Sequence, residues 1–475
     1  MLIFILIKKI WKTNFEKNIY LYTIVIVSFQ YFFIIYYFLN IFMNIEAENI
    51  LKWMKDLYPD DHKYYTFLKK VFRHEFRKNW FRRISTPVIE QKSLFEKAYL
   101  GDADLLKWLY CFNDWNWDVC LSSNATIGIL RSYIENELNE KIQPLYFYYM
   151  DKFLNKELKL KEFHEIWCEI IWEKDPILDA QLMFIAYESL KAIWLWDSIR
   201  LKINTLGNEK EMDKFLWELK SFYENKKHML LPETLDNFEK NPLSVFSSED
   251  EDEIILAQNA PKITKFLKKD SKNHFLKVKE YLDILWLNYK EDNTLILKDN
   301  YYDSVFWEIE TIDWWESLIY GWRYNTLLKK LWSEKEISSS WFKASIIDII
   351  SILRNNNIKL RNKDKTQLYF VQLWDEAKKV VLPLSLEARK AWINTLVSLW
   401  TPSMKEQMLK SQRIWAKFVV MVGIMEARSG ILQVRNTVEW TQEEVKKEEL
   451  IDYIIDKIWK ENLDFYSPIK DLIKE

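Results

Sequence analysis

Glycine is almost missing from this chain, with six residues in 475 against a usage of about 7% in ordinary globular proteins. Turns need glycine wherever the backbone takes positive φ or approaches another group closely, so this count excludes an ordinary supply of such positions. Cysteine is scarce too. Cys111, Cys120 and Cys168 form no CxxC pair and are odd in number, which argues against a disulfide framework and a structural zinc and for a reducing cytoplasm. Five histidines in no HExxH or other ligand spacing leave no metal site to expect. Neither sign of charge is in excess: 68 basic and 70 acidic residues leave a net charge of -2. That balance excludes an overall attraction to nucleic acid or membranes, so any contact with nucleic acid must come from a local patch.

Tryptophan is what the chain has instead, at 24 residues. Trp115 and Trp117 in "FNDWNWDV", Trp314 and Trp315 in "TIDWWES" and Trp440 in "TVEWTQ" stand where turn chemistry asks for glycine. A Trp-rich core, a stacking surface for nucleic acid and membrane-interface belts would each explain abundant tryptophan. None explains scarce glycine. One reading covers both: most of these residues are glycine in the living protein, encoded by UGA codons that its organism reads as glycine and that are written here as tryptophan.

Residues 1–42 pose a separate choice. Ile19 to Met43 is uncharged, strongly apolar and long enough to span a bilayer. As an anchor, with Lys8, Lys9, Lys12 and Lys17 before it, it would place everything downstream outside the cytoplasm. The alternative is a mistranslated upstream segment, because "MNIEAENILKWMKDLYPDD" from Met43 reads as a normal cytoplasmic start. The second reading is preferred, and a membrane partner is not expected.

Beyond this segment the chain suffices for two or three domains. Residues 43–207 mix an amphipathic helical stretch with short apolar segments and end in "LKINTLGN", a strand and turn. Residues 208–288 read as a helical, charged insertion, and strand-like segments return over 289–354. Residues 355–366 are polar without an apolar period and read as a linker. Over 367–475 strands and helices alternate, predicting a small α/β domain with a largely parallel sheet, whose first helix Pro383 should kink or interrupt.

In order and spacing, several segments resemble the histidyl-tRNA synthetase family of class II aminoacyl-tRNA synthetases. They are "LKWMKDLYPDD", the motif-1-like "NWFRRISTPVIEQKSLFEKA" with Pro87, "EFHEIWCEIIWEKDPILDAQLM", "LDNFEKNPLSVF", "YYDSVFWEIE" followed by "IYGWRYNTLL", and "RIWAKFVVMVG". Trp53, Trp80, Trp167, Trp322, Trp374 and Trp415 stand where that family usually has glycine. The resemblance implies an α+β class II catalytic domain, an antiparallel sheet with helices, carrying a helical insertion and followed by a C-terminal α/β anticodon-binding domain. It also implies a homodimer formed through motif 1, tRNA and a histidine-like small molecule as partners, and ATP with Mg²⁺ as cofactors if activity survives, otherwise none.

The site residues carried over by resemblance are uneven. Thr126, Glu169, Tyr302, Arg323 and Tyr324 match the amino-acid pocket and signature positions, and Glu157 remains of the motif 2 ATP contacts. Against the pocket role, Tyr302 and Tyr324 are equally read as packing residues, Arg323 as the partner of a structural carboxylate, and His164 as a satisfied core histidine. The cationic positions are lost: Asn155, Leu297 and Asp348 stand where the family has arginine, Asn124 where it has the ammonium-binding Glu, and Glu165 where it has Gln. No catalytic side chain and no protein metal ligand is expected. On the helix "SMKEQMLKSQRIW", Lys405, Lys410 and Arg413 are candidates for tRNA phosphates, opposite an apolar face of Met404, Met408 and Leu409. The function expected is a cytoplasmic paralogue impaired in aminoacylation that binds tRNA or histidine. The alternative is a working histidine-tRNA ligase.

Overall fold

The computed structural model describes residues 50–458 apart from 52, 100–102, 157–161, 196, 297–302, 314–316, 332–335, 359, 361–365 and 400–402. Residues 1–42, Glu157, Leu297, Tyr302, Trp314 and Trp315 lie outside the described residues. By contacts the chain divides into two units, residues 1–56 with 159–161 and the remainder. The second contains every described strand and helix.

Sixteen strands are described: β1 (Arg82–Arg83), β2 (Ile89–Gln91), β3 (Cys111–Asp114), β4 (Trp117–Leu121), β5 (Leu145–Leu154), β6 (Glu162–Ile171), β7 (Ile199–Thr205), β8 (Tyr289–Glu291), β9 (Asp303–Thr311), β10 (Ser317–Tyr324), β11 (Ser339–Ser345), β12 (Leu368–Gln372), β13 (Thr395–Val397), β14 (Phe418–Val422), β15 (Ile431–Asn436) and β16 (Thr441–Lys446). The longer helices are α1 (Pro59–Lys78), α2 (Thr126–Glu135), α3 (Ile177–Lys191), α4 (Glu209–Glu224), α5 (Lys269–Ile284), α6 (Ile346–Asn355), α7 (Trp374–Lys390), α8 (Met404–Arg413) and α9 (Leu450–Ile458).

Eight strands form one sheet in the order β1-β5-β6-β11-β10-β9-β7-β8, antiparallel except at its two edges. Strand alternation divides its side chains between two cores. On the back, Ile166, Cys168 and Ile170 of β6 pack with Val71 and Phe72 of α1 and Leu182 and Met183 of α3. On the front, Trp167 and Ile171 join Trp322 and Tyr324 of β10, Trp341 of β11 and Ile129 of α2. At Gly321 on β10 the chain uses its rare glycine for close approach, since a Cβ there would stand 2.6 Å from the Trp307 ring and 2.5 Å from the Trp341 carbonyl oxygen.

α1 shows how the sequence sets an element. Pro59 opens it, Asp60 and Asp61 lie in its first turn and Arg77 and Lys78 in its last, each sign opposing the helix dipole. Its end is unusual. The Trp80 amide donates to the Arg77 carbonyl at 3.3 Å and the Phe81 amide to the Phe76 carbonyl at 3.0 Å, the Schellman pairing that requires a left-handed residue, usually glycine. Trp80 holds that place with φ 68°. The same paired bonds follow α3, α5, α7 and α8, with Trp194, Trp286, Trp392 and Trp415 as the left-handed residue. Of the thirteen non-glycine residues described with positive φ, ten are tryptophan, the others among these ten being Trp53, Trp115, Trp172, Trp374 and Trp440. All ten rings are exposed, Trp286 by 91% and Trp415 by 82%. For most of them a large side chain therefore gains little packing in return for a strained backbone, Trp194, stacked on Phe67, being an exception.

The C-terminal sheet runs β13-β12-β14-β15-β16. It is mixed rather than largely parallel: β12 pairs in parallel with β13 and β14, but β14, β15 and β16 run antiparallel. The alternation of strands and helices also fails near the end, where the polar segment from Thr441 is a strand, because a hairpin turn at Val438 to Trp440, with Trp440 at φ 58°, folds it back on β15. Helix begins only at Leu450. Pro383 does not interrupt α7, which continues through it to Lys390.

The cysteines also depart from expectation. Cys111 and Cys120 are directly opposed in the β3/β4 hairpin and joined as a disulfide. Spacing rules missed it because a cross-strand pair depends on hairpin register, not on a CxxC interval. The thiol argument for a reducing compartment loses its premise. Cys168 is buried and free, and no described helix is long and apolar enough to cross a membrane.

The left-handed positions generate a test. Trp286→Gly, Trp392→Gly and Trp415→Gly should each stabilise the fold by about 1 kcal/mol, the cost of a non-glycine residue in that conformation. Trp217, equally exposed but inside α4, serves as the control, where glycine should destabilise by about 0.5–1 kcal/mol. Urea unfolding measures both, and a common sign would contradict the strain.

Candidate functional site

On the front of the sheet, Thr126 begins α2 and directs its hydroxyl to Glu169 of β6, to which it donates a hydrogen bond. Tyr324 of β10 donates to the other oxygen of Glu169 at 3.4 Å. These three predicted pocket residues are therefore brought together around one carboxylate that is fully buried. Burial pushes its pKa from 4.5 up to about 7, against the hydrogen bonds from Thr126 and Tyr324. A carboxyl so placed can accept from, or exchange a proton with, a ring N–H near neutral pH.

Beside it lies a cavity of about 30 Å³, lined by Tyr99, Asn124, Thr126, Ile127, Trp167, Tyr324, Leu327 and Trp341. That is the share of one water molecule in the liquid, roughly 30 Å³. Indoles occupy the rest of the space: Trp167 stacks on Trp341 with ring centroids 4.1 Å apart, and Trp322 meets Trp341 edge-on at 3.9 Å. A larger cavity of about 260 Å³ between Thr86 and Asp151 is lined by none of the predicted site residues.

Arg323 does not join this group. One residue from Tyr324, it points to the back of the sheet and grips Asp179 of α3 through Nε at 3.1 Å and a terminal nitrogen at 3.0 Å. Its remaining donors serve the carbonyls of Glu173 and Asp175 and the Ser338 hydroxyl. Burial works against the Asp179 charge, yet Arg323 and then His274 hold its pKa below the ordinary carboxylate value. The arginine is thus committed to a buried pair between sheet and helix. His164 is on the back as well, its Nδ1 3.0 Å from the Tyr65 hydroxyl of α1, with its pKa lowered to about 4 by burial and then by Lys152. It is a neutral core histidine.

Two of the positions that the resemblance assigns to phosphate-binding arginines carry no cation. Asn155 is buried and neutral, and Asp348 is an exposed carboxylate in the first turn of α6. Neither position offers a positive charge to ATP with Mg²⁺. Among the described residues no cluster of His, Cys, Asp and Glu is arranged to hold a metal ion. The front face nonetheless carries a cation that sequence reasoning missed. Lys343 of β11 donates to Glu165 of β6 at 2.7 Å. The signal was legible as a lone lysine inside an apolar strand, "WFKAS".

On α8, Lys405, Lys410 and Arg413 are all exposed. The buried side opposite them is Gln407 and Ser411, not the expected apolar face, since Met404 and Leu409 are exposed and Met408 half-buried. Gln407 docks the helix by exchanging hydrogen bonds with the Gln372 backbone, both at 2.9 Å.

Fold and site together define a class II synthetase-like catalytic unit with a C-terminal anticodon-binding domain, and a model of the anticodon binding domain family matches residues 353–457. Across the whole molecule the chain is similar to the histidyl-tRNA synthetase family. It is 26% identical over 405 residues to the histidine-tRNA ligase of Halothermothrix orenii, covering 84% of this chain and 96% of that one. With the histidine-tRNA ligase of Macrococcus caseolyticus it shares 27% over 418 residues, covering 86% and 99%. The solved apo histidyl-tRNA synthetase of S. aureus superposes with a TM-score of 0.69 at 23% identity, over 86% of this chain and all of that one. A Bacillus halodurans structure described as an ATP phosphoribosyltransferase regulatory subunit/histidyl-tRNA synthetase gives 0.56 at 17%, over 77% and 96%.

The raised Glu169 pKa carries a sign. The carboxyl stays protonated in the fold at pH values where the unfolded chain ionises it, so stability is full below about 4.5 and falls as pH rises through about 7. The loss should be no more than about 3 kcal/mol. Glu169→Gln removes this dependence, so the variant should gain on the parent between pH 5 and pH 8 in urea unfolding. A difference independent of pH would contradict the assignment.

Proposed function

We propose that the protein is a histidyl-tRNA synthetase-like paralogue, impaired in aminoacylation, that binds a histidine-like small molecule and tRNA. The observation that carries the reading is a contrast: Thr126 and Tyr324 converge on the buried Glu169 carboxyl, while Asn155 and Asp348 offer no positive charge to a nucleotide. Each lost charge-assisted contact costs on the order of two decades in rate. Tyr302 and Glu157 complete the proposed binding set, with Tyr302 on the amino acid and Glu157 as the remaining ATP contact. Arg323 supports it from the back of the sheet.

The recoding reading is part of the proposal. The tryptophans at left-handed positions and the indoles packed into the pocket are glycines in the functional protein. Small residues at 167, 322 and 341 would turn a cavity of one water into one that admits an amino acid. The domain division proposed is catalytic over 43–207 and 289–354, a helical insertion over 208–288, a linker over 355–366 and the anticodon-binding domain over 367–475. The molecule works as a cytoplasmic homodimer through the motif 1 region. Its tRNA contact is carried by Lys405, Lys410 and Arg413.

Two measurements test this. The glycine-restored protein should show no histidine-dependent ATP-pyrophosphate exchange above background, and exchange at about 1 per second or faster would instead make it a working histidine-tRNA ligase. tRNA binding should weaken steeply with salt, and Lys405→Ala, Lys410→Ala and Arg413→Ala combined should reduce the logarithmic salt slope by about 2–3. An unchanged slope would remove these residues from the interface.

A further inference from the structure

The Lys343–Glu165 pair is unusual in a protein interior. The Lys343 side chain lies on the front face in register with Trp167, and its ammonium is bonded to Glu165 at 2.7 Å and stands over the rings of Tyr320 and Trp167 at 4.7 and 5.3 Å. Coulombic attraction to Glu165, against burial, holds its pKa above the ordinary lysine value, so it is charged. Glu165 accepts a second bond, at 2.6 Å, from the Trp167 indole N–H. A buried ion pair costs desolvation that its own attraction seldom outweighs, and two apolar residues of similar volume would pack here at no loss. Its retention calls for a use.

Position supplies one. In the β6/β11 register Lys343 is level with residue 167 and Glu169 with residue 341. Two residues along a strand is roughly 7 Å, and the stacked indoles of Trp167 and Trp341 fill the interval between them. With glycine at both places, the interval becomes a trough with a proton-accepting carboxyl at one end and an ammonium beside a carboxylate at the other. Glu165 would then lose its indole donor, and Lys343 one of its π faces, leaving both with unspent hydrogen-bonding capacity toward the trough. The span suits a free α-amino acid with a ring side chain: the ring N–H on Glu169, the α-carboxylate on Lys343 and the α-ammonium on Glu165.

We infer that Lys343 and Glu165 are the residues that bind the zwitterionic end of the amino acid, in place of the charges lost at 124, 155 and 297. This rests on the reading of the Glu169 pocket and on glycine at 167, 322 and 341. The occupant is a free amino acid and not its decarboxylated amine, because only an α-carboxylate gives the Lys343 ammonium an acceptor in the trough when the α-ammonium takes Glu165.

The experiment uses the full chain with Trp167→Gly, Trp322→Gly and Trp341→Gly as parent and calorimetric titration with L-histidine and with histamine, which keeps ring and ammonium but lacks the carboxylate. Loss of one charge-assisted bond corresponds to about tenfold or more, so the parent should prefer histidine over histamine by at least that ratio. In Lys343→Met the preference should collapse, in Lys343→Arg part of it should return, and in Lys343→Met with Glu165→Gln, which strands no buried charge, both ligands should bind weakly. A preference unchanged in Lys343→Met and in the double variant overturns the inference while leaving the pocket reading intact. Loss of ATP binding with that preference unchanged also overturns it, assigning Lys343 to phosphate. A parent that binds no histidine overturns both this inference and the pocket reading.

Discussion

Five helices of this protein turn back toward the sheets through a left-handed residue, and the buried side chain after each turn reaches its core only because of that turn. Phe81, Leu195, Leu287, Ile393 and Ala416 follow Trp80, Trp194, Trp286, Trp392 and Trp415 in this way, each donating its amide to a carbonyl one turn back in the helix. The constraint is backbone conformation, not packing. The residue at the turn needs no side chain, and four of the five indoles found there are more than half exposed. Glycine is the residue whose conformational freedom matches this demand.

The eight-stranded sheet then sorts charge by face. On the back, Arg323, Asp179 and His274 form a buried cluster that ties β10 to α3 and α5, and His164 stays neutral against α1. On the front, Thr126 and Tyr324 share the Glu169 carboxyl, with Lys343 two residues along and its partner Glu165 four. Neighbouring residues on one strand thus serve different purposes: Arg323 braces the scaffold and Tyr324 lines the pocket. The front face thus holds a buried carboxyl at one end and a lysine-glutamate pair at the other.

Much of this was legible in the chain. The strand-like texture over 289–354 anticipated β9 and β10, and the residues at 124, 155 and 348 that depart from the resembled family were visible as letters. The hairpin β15/β16 was not, because "TQEEVK" is polar and gains strand conformation only by pairing with β15. Nor was the Cys111–Cys120 bond, which requires two short strands in a particular register. The apolar letters of α8 misled for a related reason: the helix is docked by Gln407 hydrogen bonds to a strand edge, a contact that hydrophobic spacing does not encode.

The sequence by itself determined composition, and with it the scarcity of glycine beside abundant tryptophan, because a residue's identity is fixed whatever the fold. It also determined the family likeness, since ordered motifs survive where individual residues change. Only tertiary structure decided which tryptophans stand at positive φ and which fill the pocket, because a dihedral angle and a cavity are properties of the folded chain. It alone separated Arg323 from Tyr324, since a strand sends successive side chains to opposite faces and the partners on each face come from distant segments. It likewise placed Lys343 beside Glu165, residues 178 apart in sequence, which meet because β11 lies against β6 and covers most of both side chains.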